Sequence, residues 1–130
     1  MKLAIPVSGD RVSNALDFAR RLLLIDCEDG REISRSELSV PDELPLHRAH
    51  RLAALGVGEL ICGAVSRFLA ESLVNLGISI VPFVSGSVAD VLQAYLTDDL
   101  GPTRFLMPGS TQADREQWTT RTPAATASQT

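Results

Sequence analysis

The stretch "VGELICGAVSRFLAESLVNLGISIVPFV" (57–84) decides the architecture. It opens on an apolar run, Val57 to Cys62, that is too short for a helix and reads as a buried strand. A small step, Cys62-Gly63-Ala64, interrupts it. Leu69, Leu73 and Leu76 then recur at helical spacing, and Gly77 marks the end of that helix. A second apolar run, Ile78 to Val84, reads as another strand, and Pro82 assigns it to a sheet edge. Strand, helix and strand in close succession form a crossover, so the two strands run parallel.

Working towards the N-terminus, Leu46, Ala49, Leu52 and Ala53 share a helical face that Gly56 ends, and the Pro41–Pro45 segment separates that helix from what precedes it. "RLLLIDC" (21–27) and "REISRSEL" (31–38) flank Asp29-Gly30, the signal for a tight antiparallel hairpin. "KLAIPV" (2–7) is a short buried strand, followed by a polar loop with one helical turn in "VSGDRVSNALDFAR" (7–20). Towards the C-terminus, Val88, Val91, Leu92, Tyr95 and Leu96 define a third helix. Ser87 is its N-cap and Asp90 supports its first turn. "FLMP" (105–108) reads as packing back on the domain. The pattern predicts one α/β domain over 1–108, a five-stranded mixed sheet flanked by helices, with the first, fourth and fifth strands parallel. Residues 109–130, rich in Ser, Thr, Ala and Gln with a lone Trp118, read as a disordered tail.

The bulk properties fit. The chain has 130 residues, 45% of them hydrophobic, enough for one core built mainly from aliphatic side chains. A net charge of −4 with no basic stripe argues against nucleic-acid binding. The N-terminus is interrupted by Pro6 and Gly9 too soon for a secretory signal, and no apolar run approaches a membrane span. A soluble cytoplasmic protein is expected, with Cys27 and Cys62 as free thiols.

Ligands of open α/β sheets bind beyond the carboxyl ends of the parallel strands. The segments expected there are 8–13, 62–67 and 84–87, which contribute Ser8, Gly9, Arg11, Ser13, Cys62, Gly63, Ser66, Arg67, Ser85, Gly86 and Ser87. Glycine permits close approach of backbone N–H groups, and two of the loops feed helix N-termini, which favour anions. The same residues are also ordinary turn and cap chemistry. No phosphate-binding fingerprint is present. His47 and His50, three apart on the first helix, form a candidate metal pair. Asp10, Asp17 and Asp26 read as loop and strand-end solvation. No serine–histidine–acid pattern occurs, so a nucleophilic enzyme is not expected.

Residues 1–108 resemble the dinitrogenase iron–molybdenum cofactor biosynthesis family. The resemblance rests on "MKLAIPV" (1–7), "RVSNALDFARRLLLIDCEDG" (11–30), "ALGVGELICGAVSRFLAESLVNLGISIVPFVSGSVADVLQAYL" (54–96) and "FLMPGS" (105–110), in that order and spacing. It implies a ribonuclease-H-like fold and a non-catalytic carrier of an anionic iron–sulfur or molybdenum-containing cluster. A cluster donor or acceptor protein would be its partner, and the chain itself would be a monomer or weak dimer. On that reading backbone N–H groups with Arg67 or Arg11 receive the cluster's charge, and Cys62 supplies one soft ligand. The chain departs from the family at two ligand positions, with Ala15 where relatives carry histidine and Ser110 where they carry cysteine. A His-rich insertion is reduced to His47 and His50. A cluster-free interaction module of the same fold is therefore the alternative. An enzyme using acidic residues and a divalent metal has only fold analogy behind it.

Overall fold

Every apolar run read as a strand joins one mixed sheet in the computed structural model, which describes residues 1–119. In chain order the strands are β1 (Lys2–Ser8), β2 (Arg11–Val12), β3 (Arg21–Glu28), β4 (Arg31–Ser39), β5 (Glu59–Ile61) and β6 (Ser79–Val81). The helices are α1 (Pro45–Ala54), α2 (Arg67–Asn75), α3 (Val88–Leu96) and α4 (Gln112–Thr119). The sheet order is β4-β3-β1-β5-β6, with β2 attached to β1. β1, β5 and β6 run parallel, and β3 is antiparallel to both β1 and β4. The fold is therefore the predicted mixed α/β sheet. A sixth strand of two residues, β2, lies inside the segment read as loop, and a single 3-10 turn (Leu16–Phe18) supplies the predicted helical turn.

Local chemistry explains the connections. Asp29 and Gly30 both take positive φ, 51° and 74°, as the tight hairpin between β3 and β4 requires. Pro6 is tolerated in the central strand because β5 pairs only with Leu3 and Ala4, so its missing N–H falls beyond that ladder. β6 is an edge strand, as Pro82 predicts. β4 forms the other edge. Its register shifts where Asp26 faces Ser34 and Cys27 faces Glu32, which leaves Ile33 as an extra, exposed residue. That bulge and the ion pairs Arg21–Glu37 and Glu32–Arg35 blunt the open edge.

Alternation along the strands divides the core in two. Ala4, Leu22, Leu24, Leu60, Cys62 and Ile80 face α1, α2 and α4, while Leu3, Ile5, Ile25, Ile61 and Val81 face α3. α2 buries Leu69 and Leu73, but Leu76 lies past its last turn and is exposed, so it does not continue the apolar face. Leu106 pairs with Val84, so the "FLMP" segment does pack back on the sheet. The expected disorder from residue 109 is corrected over the helix 112–119. Trp118 is only 4% exposed in the core, and the Arg115 guanidinium donates to the carbonyls of Pro82 (3.0 Å), Phe83 (3.0 Å) and Arg104 (2.8 Å). Composition hides this because one aromatic ring and one arginine do the anchoring. Residues 120–130 of the expected tail lie outside the described residues. No helix of the described residues is long and apolar enough to cross a membrane.

Candidate functional site

The three loops expected at the carboxyl ends of β1, β5 and β6 do come together, but they bind one another. The Leu16 N–H donates to the Ala64 carbonyl and the Ala64 N–H to the Asn14 carbonyl, both at 2.8 Å. On the other side, the Val12 N–H donates to Gly86 (3.0 Å) and the Val88 N–H to Asp10 (2.8 Å). The β1–β3 connection thus lies as a strap between the other two loops. Gly63 is needed for this arrangement. A Cβ there would stand 2.4 Å from the Ser13 carbonyl oxygen, so the glycine admits a neighbouring backbone.

The N-terminus of α2 has its own anion. Ser66 caps the helix, its Oγ accepting from the Leu69 N–H (3.3 Å). The Asp17 carboxylate, from the strap, accepts from the Ser66 N–H (2.9 Å) and Oγ (2.6 Å). A carboxylate at this end takes one of the free N–H donors, that of Ser66, and lies favourably at the positive end of the helix dipole. At α3, Ser87 Oγ accepts from the Asp90 N–H (3.1 Å), the predicted cap.

The strap is held from below by Arg48, which is 1% exposed. Its guanidinium donates to the carbonyls of Leu16 (2.7 Å), Ala19 (2.7 Å) and Pro41 (2.8 Å). Glu43 completes the cluster beside Arg48 and Arg51. Its carboxyl is held below the ordinary value, first by the hydrogen bond from Arg51. Arg48 was absent from the sequence candidates. Its signal was an arginine one helical turn before Leu52, on the buried face.

The predicted ligands fall in different places. Cys62 is fully buried in the core beneath the loops instead of at a rim, and burial, with the nearby Asp17 charge, pushes its thiol well above the ordinary value. The thiol packs as a small apolar side chain in the core cluster with Leu60, Leu69 and Ile80. His47 and His50 are exposed on α1, and the neighbouring Glu43 is engaged by arginines. Among the described residues no group of three or more His, Cys, Asp or Glu could hold a metal ion. Cys27 lies at the other end of the sheet, where its N–H donates to the Met1 carbonyl, and both cysteines are free. Ser8, Gly9, Arg11, Ser66 and Arg67 remain exposed, whereas Ser13, Ser85, Gly86 and Ser87 are half-buried.

Two exposed aromatic residues lie close in the chain to the bonded Asp17–Ser66 pair. Phe18 is 79% exposed and Phe68 is 60% exposed. Phe18 follows Asp17 directly and Phe68 follows Ser66 by two positions, so their backbones are held near the bonded pair. Exposed arginines, Arg11 and Arg67, belong to the same loop end. Sequence periodicity did not single out either phenylalanine, because exposure here depends on how the strap folds over the sheet.

Known structures share this architecture. PH0822 superposes with a TM-score of 0.72 at 26% identity, over 75% of this chain and 90% of that one. A protein of Methanocaldococcus jannaschii provisionally named a dinitrogenase (MJ0327) superposes at 0.63 and 18% identity, over 76% of this chain and 90% of that one. A Thermotoga protein provisionally named NifB (TM1290), placed in the DUF35 family, superposes at 0.59 and 22% identity, over 75% and 89%. No protein-family model and no curated protein matches the chain. The likeness established by these structures is one of fold.

Proposed function

We propose that the chain is a non-catalytic accessory protein of nitrogenase-type metal-cofactor metabolism. Its carboxyl-end loops serve as a docking face for a cluster donor or acceptor protein instead of as a cage of cluster ligands. The nitrogenase-related names of two fold neighbours support the setting. The observation that supports the mode of action is the exposure of two aromatic residues, Phe18 and Phe68, adjacent in the chain to the hydrogen-bonded Asp17–Ser66 pair. Exposed aromatics with nearby arginines on a fixed backbone are the usual anchors of a protein interface. The ligand positions do not favour side-chain ligation, since Cys62 is enclosed, position 15 is alanine and position 110 is serine.

The test is anaerobic recovery of the tagged chain from its host. An iron-bearing protein should accompany the parent and be lost from the folded Phe18→Ser/Phe68→Ser double variant. Equal recovery with both forms would contradict docking through these rings, as would the absence of any iron-bearing companion.

A further inference from the structure

We propose that a cavity at the opposite end of the sheet, on the α3 face, binds a small organic cation: an amine or guanidinium carried on an apolar body. The cavity measures about 620 Å³, within the ~300–1,000 Å³ typical of small-molecule sites. It lies between the β3–β4 hairpin, the end of α3 and the start of β5. Val81, Leu96 and Leu100 supply an apolar wall, and Cys27, Glu59 and Tyr95 a polar one. The hairpin turn comes so close to α3 that a Cβ on Gly30 would stand 3.1 Å from the Leu96 carbonyl oxygen.

The polar wall is organised. The Tyr95 hydroxyl donates to Glu59 Oε1 at 2.5 Å, the length of a strong hydroxyl–carboxylate bond. Burial and the Glu59 charge raise the Tyr95 phenol, so it stays a donor and fixes the carboxylate. Glu28, Asp29 and Asp98 add exposed carboxylates to the lining, and the C-terminal end of α3 adds partial negative charge. The cationic group in the lining is the Met1 amino group, which donates to the Cys27 carbonyl (2.9 Å). Negative potential beside an apolar wall selects a cation with a hydrophobic body. The apolar wall of Val81, Leu96 and Leu100 beside the carboxylates suits an organic cation. This site is independent of the docking face proposed above.

The test is a titration of the full-length, 15N-labelled protein with 2-phenylethylamine, followed by amide shifts. Its neutral and anionic counterparts, 2-phenylethanol and phenylacetate, are titrated in parallel. The amine should saturate shifts at Cys27, Gly30 and Tyr95 with a Kd of about 1 mM or below, and the counterparts should bind about tenfold more weakly. Glu59→Gln keeps an acceptor for Tyr95 and should weaken the amine about tenfold. Asp90→Asn, at the other end of α3, should leave binding unchanged. Three results would each overturn the site: no saturable shift with the amine, equal binding of the alcohol, or full binding by folded Glu59→Gln. If Glu59→Gln fails to fold, the comparison of amine with alcohol on the parent protein decides.

Discussion

Cys62 and Gly63 look like ligand-loop chemistry, yet both serve packing. The cysteine fills a place between strand and helix in an aliphatic core, and the glycine lets the strap lie against the turn above it. Strand-end position was readable from the apolar run. Enclosure was not, because it depends on a strap that begins some fifty residues earlier and is held by Asp17 and Arg48. The placement has a measurable consequence. Cys62→Ser puts a hydroxyl where a thiol is shielded from water, and should cost about 1–3 kcal/mol of stability. The native thiol should resist alkylation until the protein unfolds, whereas half-buried Cys27 should react first. Rapid alkylation of Cys62 in the folded protein would show that the strap opens and the thiol reaches solvent.

Elements whose signals are local were legible. The Asp29-Gly30 hairpin, the Ser87 cap and the crossover through α2 follow from turn residues, caps and periodicity. α4 was not, since a polar, Ala- and Gln-containing segment has no apolar face of its own, and its order comes from tertiary contacts of Trp118 and Arg115. A buried guanidinium bonded to several carbonyls ties the helix to the Pro82–Phe83 turn, where Phe83 is held at φ 60°. Removing residues 111–130 should therefore lower stability by about 3–5 kcal/mol, the scale of deleting a buried tryptophan. Denaturant unfolding of the truncated chain measures it. A change within about 0.5 kcal/mol, the range of neutral surface substitutions, would show that α4 contributes nothing to the core.

At the scale of the molecule, the sheet order brings the three expected loops to one end, and their mutual hydrogen bonds turn that end into a surface. Topology was legible because hairpin and crossover rules leave few alternatives. What that surface holds was not, because helix N-termini and Ser/Gly loops read alike whether they meet a ligand or a neighbouring carboxylate, here Asp17. The central claim is that these loops dock a partner and do not ligate a cluster through their side chains. The most direct measurement is iron, sulfide and molybdenum content after anaerobic reconstitution of the parent chain and Cys62→Ser, normalised to folded protein. The account predicts sub-stoichiometric metal, equal in the two forms. One cluster per parent chain, lost in folded Cys62→Ser, would contradict it.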